Sequence, residues 1–147
     1  MSAPSSVRRA AALWIFAVAA GVFETVVAVT GILASGAFPA GAVAVGVGLR
    51  LVVFGAAVFM TLRLRAGDNL ARLGLAVLLG LFGTLSLVVG PVQDLLAGTF
   101  TLPAGPADWL LAVSRAAHLV AVLAAMVLMF RPEANAYFDR RRSAISL

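Results

Sequence analysis

Four long runs of hydrophobic residues, separated by short polar segments, dominate the pattern along the chain. They lie at about residues 10–34, 40–62, 70–95 and 109–130. A helix needs about 20 apolar residues to cross the hydrocarbon core of a bilayer, and each run is long enough. The third run is uncharged over residues 73–92, whereas ionisable residues interrupt the other three. The pattern predicts an all-α membrane protein with four transmembrane helices.

The connections between these runs are short, which predicts a four-helix bundle made of two antiparallel hairpins. Residues 35–39 (SGAFP) are an uncharged turn, and residues 63–72 are a basic loop in which Asp68 or Asn69 can cap the third helix. Residues 97–107 are longer and contain two prolines, which oppose a regular helix. We therefore divide the chain into an N-terminal segment (1–9), a transmembrane domain (10–130) and a basic tail (131–147).

The arginines predict the orientation of this bundle. All 11 basic residues are arginine, and nine of them lie in the N-terminal segment, the second loop and the tail, whereas the other two loops have none. The positive-inside rule then places both termini in the cytoplasm, with the protein in the bacterial inner (plasma) membrane. Because these arginines flank apolar runs, the net charge of +5 does not indicate nucleic-acid binding. Glu24, inside the first run, favours a retained helix over a cleaved signal peptide.

Composition narrows the chemistry that the chain can perform. Hydrophobic residues make up 63% and charged residues 12%, against about 25% charged in soluble domains. There is no cysteine and only one histidine, which argues against thiolate catalysis, disulfides, bis-histidine haem and histidine-rich zinc sites. No nucleophile–base pair or cofactor motif is recognisable. The sequence predicts a protein that is not an enzyme and binds neither cofactor nor metal.

The most specific signal is a pair of opposite charges inside the first two helices. Glu24 lies thirteen residues before residue 37, the centre of the first turn, and Arg50 lies thirteen residues after it. In an antiparallel hairpin the two side chains share one depth near the bilayer midplane. Charges at that depth cost at least about 2.5–3.5 kcal/mol each and are usually paired. We predict a buried Glu24–Arg50 pair, either as a structural contact or as part of a substrate or proton site.

The last two helices carry a second polar group. Asp94 and Arg115 lie near the outer ends of the third and fourth helices, where they can pair, and His118 lies one turn deeper than Arg115. We expect His118 to be an interior histidine or a proton relay. The helices also carry matching stripes of small and polar residues, of which Ser86, Gln93 and Ser114 form a secondary polar face.

Aromatic and basic residues near the helix ends predict anchors at the membrane surface. Trp14 and Trp109 are expected in the interfacial aromatic belts. In the tail, the ring of Tyr137 is expected at headgroup depth, next to arginines that contact anionic lipid. Those arginines are Arg140, Arg141 and Arg142. The tail is alternatively a plain flanking segment or a partner-binding element.

Two resemblances add to this picture. LWI at 13–15, AGVFET at 20–25 and FRPEANAYF at 130–138 are similar to segments of actinobacterial small four-helix integral membrane proteins, and this resemblance implies no activity or cofactor. With four helices and Glu24 in the first, the chain also resembles the small multidrug resistance transporters, which use such an acid for proton exchange. Arg50 at the depth of Glu24 and the greater length depart from that family.

The sequence therefore favours a structural or accessory membrane protein whose bundle is organised by the Glu24–Arg50 pair. The alternative is a small proton-coupled transporter or channel-like protein that works as an oligomer, because four short helices enclose little volume. Expected partners are the lipid bilayer, anionic lipid at the tail, and a second copy or another membrane protein.

Overall fold

The computed structural model of the protein describes residues 3–36 and 38–145, and side chains as far as residue 141. Within these residues the chain is helical and has no strand. The helices are α1 (Ser5–Ser35), α2 (Ala40–Arg65), α3 (Asn69–Leu96), α4 (Pro106–Met129) and α5 (Pro132–Ile145). The first four are long and apolar enough to cross a membrane. This confirms the all-α class and the four helices of transmembrane length.

The helix ends follow from local sequence. Gly36, with a φ of 64°, ends α1 in the left-handed conformation that glycine adopts without strain. The carboxylate of Asp68 accepts the backbone N–H groups of Leu70 and Ala71 at 2.9 and 3.4 Å, so Asp68 is the cap of α3. Helix α4 begins at Pro106, earlier than predicted, because proline is tolerated in a first helical turn.

Helix α5 was not predicted. The sequence predicts a basic tail at residues 131–147 without a helix of its own. In the structure Pro132 is instead the first residue of a new helix of 14 residues, Pro132–Ile145. Proline has no N–H to donate, but the first turn of a helix needs none, so Pro132 both ends α4 and starts α5.

Helix α3 departs from regular α geometry at its centre. Residues Ala76–Gly83 are π-helical, with α-helix on both sides, and Pro91 lies in the segment that follows. A π-helical turn contains an extra residue, so it rotates the side chains that follow relative to those that precede it. The face that the second half of α3 presents to its neighbours therefore cannot be read from a period of 3.6 residues.

The buried core occupies only one half of the bundle, which we call the terminal half. Its members come from the start of α1, the end of α2, the start of α3, the end of α4 and from α5. They are Val7, Ala10, Trp14, Ala17, Leu64, Leu75, Ala121, Val122, Ala125, Met129, Ala134, Tyr137 and Phe138. The opposite half, which we call the open half, has no buried residue between Thr84 and Leu96 of α3.

The packing of the four long helices is uneven in the same way. Helix α1 packs most extensively against α4 and then against α2, and α2 packs against α3. Helix α2 contacts α3 mainly through the first residues of α3, Asn69–Leu75, whereas the rest of α3, from Ala76 to Leu96, contacts α4 more than α2. The loosest seam of the bundle is therefore between α2 and the part of α3 from Ala76 onwards.

Helix α5 is fastened to the start of α3 through Arg72. The guanidinium carbon of Arg72 lies 4.2 Å from the centre of the Phe130 ring and 4.9 Å from that of Phe138. The same guanidinium donates a hydrogen bond to the side-chain oxygen of Asn135. A cation between two aromatic faces is a favourable arrangement that arginine suits well. Arg72 is thus buried inside the protein although it also belongs to the basic loop.

Two of the predicted interfacial anchors are wrong. Tyr137 is 1% exposed and donates a hydrogen bond from its hydroxyl to the backbone carbonyl of Arg65 at 3.1 Å, so its ring lies in the core rather than among lipid headgroups. Trp14 is 0% exposed and also belongs to the core. Tyr137 is buried because α5 packs against the terminal half, which the apolar patterning of the four spans does not reveal.

The other predicted anchors have different surroundings. Trp109 is 56% exposed near the start of α4, and Arg140 is exposed on α5. Arg141 is half-buried, with its guanidinium carbon 5.9 Å from the centre of the Tyr137 ring. The side chain of Arg142 lies outside the described residues.

Candidate functional site

Glu24 of α1 is the acidic centre of the site. One of its carboxylate oxygens, Oε1, lies 3.3 Å from the hydroxyl oxygen of Ser114 and 3.3 Å from Nδ1 of His118. Ser114 and His118 are four residues apart on α4, which places both on one helix face. Because an ionised carboxylate only accepts hydrogen bonds, the hydroxyl and Nδ1 act as the donors.

The Glu24–His118 contact is largely buried, but both side chains keep some exposed surface. The side chain of Glu24 is 12% exposed and that of His118 is 15% exposed. The close approach of the helices here depends on Gly21, one turn before Glu24. A Cβ atom at Gly21 would lie 3.0 Å from the Phe54 ring and 3.4 Å from Cε1 of His118. The small residue at position 21 thus lets α2 and α4 reach the base of the site.

A cavity of about 450 Å³ opens next to this contact and is lined by all four long helices. Known small-molecule sites have volumes of about 300–1,000 Å³, so the cavity is large enough for a ligand. Its polar lining consists of Glu24, Thr25, Arg50, Ser86, Arg115 and His118. Its apolar walls include Leu49, Val53, Phe54, Leu78, Phe82 and Leu87.

The π-helical segment of α3 forms one wall of this cavity. Leu78, Leu79, Phe82 and Gly83 belong both to the π segment and to the lining. Segments of this kind occur frequently at functional sites, where the wider turn changes the direction of side chains. No feature of the sequence marked these residues, because an apolar run has the same composition whether it is α- or π-helical.

The predicted Glu24–Arg50 ion pair is not present in the described residues. Both side chains nevertheless line the same cavity. They do not approach within 4.0 Å, and Glu24 instead contacts α4. Counting residues fixes depth along a helix but not rotation about its axis. Residue 37, on which that count was centred, lies outside the described residues.

The predicted Asp94–Arg115 ion pair is also absent from the part of the chain that the structure describes. Arg115 lines the cavity, whereas Asp94 is exposed and contributes nothing to its wall. The outer segment of α3 packs only loosely on α4, so the two side chains are not held together. Ser86 lines the cavity, but Gln93 does not.

The charges of the cavity do not balance. Its lining holds two arginines and one carboxylate, and the exposed Asp94, which the sequence counted as a balancing charge, is not part of it. With Glu24 ionised and His118 neutral, one positive charge is left over. Within the described residues no three His, Asp or Glu side chains are grouped closely enough to hold a metal ion.

Comparison with known protein families, with curated proteins and with solved structures finds no match to this chain. The chemical interpretation of the site therefore depends on its own geometry.

Proposed function

We propose that the protein is a small multi-pass transporter that binds a solute in the cavity and responds to protons through Glu24 and His118. The observation that carries this proposal is the cavity itself, because a dry Glu24–Arg50 contact would have favoured a purely structural role. A space of this size, lined by four helices of which three supply ionisable side chains, is typical of a binding site.

Protonation of either partner changes the Glu24–His118 contact. With Glu24 ionised and His118 neutral the two side chains together carry one negative charge, and the binding of one proton to either group brings their sum to zero. Histidine is the side chain whose charge most often changes near physiological pH. The other charged groups that line the cavity are Arg50 of α2 and Arg115 of α4, while α3 contributes only the neutral Ser86. Binding of a proton to Glu24 or His118 therefore changes the net charge of the cavity lining that a ligand would contact.

We further propose that the bundle consists of two antiparallel hairpins in the bacterial inner membrane, with both termini cytoplasmic. Nine arginines in the N-terminal segment, the second loop and the tail, against none in the other two loops, support this orientation. The terminal half then faces the cytoplasm, and the cavity of the open half faces the outside. The exposed Arg140 is free to contact anionic lipid headgroups on the cytoplasmic surface.

Water access to the cavity can be tested without knowing the substrate, because the chain has no cysteine of its own. Ser86→Cys places a single thiol in the cavity wall, and Val52→Cys places one on α2, where Val52 is 69% exposed and lines no cavity wall. We expect a membrane-impermeant thiol reagent to label Ser86→Cys at least tenfold faster than Val52→Cys. Equal, slow labelling of both variants would contradict a water-filled cavity.

The role of Glu24 can be tested in the same background. Because the thiolate is the reactive form, the labelling rate of any cysteine depends on pH, so the rate of Ser86→Cys is divided by that of Thr101→Cys, at an exposed position in the loop before α4. We expect this ratio to differ between acidic and neutral pH, and Glu24→Gln to remove the difference while the protein remains folded. Unchanged pH dependence in Glu24→Gln would contradict a proton-responsive role for Glu24. Folding is checked by elution as a single species from a sizing column.

A structural or accessory role is the second candidate, and the contact between Glu24 and Ser114 favours it. That contact joins α1 to α4, the pair of helices with the most extensive packing. If this is the whole role of Glu24, Glu24→Gln should lower thermal stability, and the labelling rate of Ser86→Cys relative to Thr101→Cys should not change with pH in either background. The large exposed apolar surface of α2 would then contact lipid, a second copy or another membrane protein.

A further inference from the structure

The two arginines of the cavity lack the partners that charged groups at membrane depth usually have. Among the described residues neither Arg50 nor Arg115 forms a hydrogen bond or an ion pair with another side chain, although both line the cavity. Glu24, the remaining charged group of the lining besides His118, is already engaged by Ser114 and His118. A guanidinium has five N–H donors in a planar fork that matches carboxylate and phosphate groups. The unpaired N–H donors of these two arginines and the surplus positive charge of the cavity lining both favour an anionic ligand.

The rest of the cavity is not suited to a small inorganic anion. Its walls are mostly apolar and include two phenylalanine rings, Phe54 and Phe82. A hydrated ion would leave these surfaces in contact with water, whereas a hydrocarbon group would cover them. A ligand that satisfies both the arginines and the walls therefore has an acidic head and an apolar tail.

The bundle also offers such a molecule a route of entry. The seam between α2 and the part of α3 from Ala76 onwards is the most loosely packed, and the α3 segment Thr84–Leu96 has no buried residue. Apolar side chains such as Leu85, Val88 and Val92 are exposed along this segment. In a membrane these side chains face acyl chains, so the seam leads from the bilayer into the cavity.

We infer that the ligand of the proposed transporter is an amphipathic anion, whose carboxylate or phosphate head binds Arg50 and Arg115 and whose hydrocarbon tail packs on Phe54 and Phe82. The inference rests on the proposed function, since it names the substrate class of the same cavity. A free alkyl carboxylate and an anionic phospholipid have this chemistry in common, and their masses distinguish them.

The test uses the purified full-length protein in a neutral detergent, with bound ligands counted by native mass spectrometry. Decanoate, decanol and decyltrimethylammonium have similar tails and negative, neutral and positive heads, and phosphatidylglycerol is compared with phosphatidylcholine. We expect decanoate or phosphatidylglycerol to bind at least tenfold more tightly than the neutral and cationic probes. Preference for decanoate alone identifies a free carboxylate as the source, and preference for phosphatidylglycerol identifies a lipid.

Arginine variants test the head group. Arg50→Gln and Arg115→Gln are each expected to weaken binding of the anionic probe at least tenfold, whereas Arg9→Gln, the same change at an exposed arginine outside the cavity, leaves it unchanged. Equal binding by all three variants would overturn the assignment of the head group to the cavity. If an arginine variant fails to fold, the comparison of head groups on the unaltered protein still decides the sign of the ligand charge.

Chain length tests the tail on the unaltered protein. Each buried methylene is worth about fourfold in affinity, so decanoate should bind much more tightly than hexanoate. Inorganic phosphate binding as well as decanoate, or decyltrimethylammonium binding better, would overturn the inference. If Ser86→Cys is still labelled rapidly in that case, the proposed water-filled cavity stands and only the inference about its ligand fails.

Discussion

Asp68 has two functions at the start of α3, and a pair of substitutions separates them. Its carboxylate caps the helix, and one oxygen also lies 2.7 Å from a guanidinium nitrogen of Arg63. We expect Asp68→Ala to lower the free energy of unfolding by about 1 kcal/mol through the lost cap. Asp68→Asn keeps a capping oxygen and should cost clearly less. Unfolding in mixed micelles measures both, and equal losses would mean that the cap contributes little.

The same carboxylate predicts a pH dependence. The hydrogen bond from Arg63 holds the pKa of Asp68 below its usual value. A lowered folded-state pKa contributes stability that is complete above the unfolded-state pKa of about 4 and is lost as the pH falls through the folded-state value. We therefore expect the stability difference between the original protein and Asp68→Asn to shrink below pH 4. A constant difference from pH 7 down to pH 2 would contradict the pairing with Arg63.

Gly67 is the position where added side-chain volume should be most harmful. Its φ of 85° is strained for any residue with a Cβ, and that atom would lie 2.9 Å from Cγ of Arg141 and 3.2 Å from the Tyr137 ring. We expect Gly67→Ala to destabilise the protein by about 1–2 kcal/mol. Gly46→Ala is the matched control, because no atom lies within 4 Å of its Cβ position and its backbone is helical. A Gly46→Ala change that costs as much as Gly67→Ala would contradict this explanation.

At the scale of elements, the docking of α5 depends on a buried ring. Phe138 is 2% exposed and lies beneath the guanidinium of Arg72. Phe138→Ala should release α5, so that trypsin cleaves after Arg140 and Arg141 at least tenfold faster than in the original protein. Phe100→Ala, at a ring that is 51% exposed in the loop before α4, should leave cleavage unchanged. Equal cleavage rates in the two variants would show that Phe138 does not hold α5 in place.

The helices themselves show what apolar patterning predicts and what it does not. Length and hydropathy are properties of a segment, so the four long helices were predictable, as was the capping residue of α3. The faces that the helices turn toward one another depend on rotation, which the π-helical turns of Ala76–Gly83 alter. Glu24 of α1 contacts His118 rather than Arg50 for a separate reason, namely that residue counting gives no rotation of α1 and α2 about their own axes.

The same limit of sequence patterning applies to Arg72 and Tyr137, which are buried by contacts between distant segments of the chain. Arg72 was counted only as an orienting charge, and Tyr137 only as a membrane anchor. Their burial follows from the docking of α5, a contact between segments 60 or more residues apart, for example between Arg72 and Asn135. Composition and periodicity describe local preferences and contain no information about such long-range contacts.

At the scale of the whole molecule, the buried core closes one half of the bundle, so the cavity opens only toward the other half. Trp14, Leu64, Leu75 and Met129 fill the terminal half, whereas the cavity occupies the open half. Transport through a single chain would require these core residues to separate, which is costly for a well-packed cluster. A second copy, or exchange with the bilayer through the seam between α2 and the part of α3 from Ala76 onwards, avoids that cost.

The direction of the cavity depends on the orientation of the chain, which single cysteines can measure in intact cells. Ser5→Cys places a thiol at the start of α1, and Thr101→Cys places one in the loop between α3 and α4, both at exposed positions. We expect an impermeant thiol reagent to label Thr101→Cys in intact cells and Ser5→Cys only after permeabilisation, because the arginines keep their segments in the cytoplasm.

The reverse labelling pattern would contradict the orientation inferred from the arginines and would mean that the cavity faces the cytoplasm. The labelling of Ser86→Cys provides an independent check on the same point. If the open half faces outward, Ser86→Cys and Thr101→Cys react from the same side, since Ser86 lines the cavity of the half to which that loop belongs. Reaction from opposite sides would mean that the cavity is reached through the terminal half, against the packing of Trp14, Leu64 and Met129.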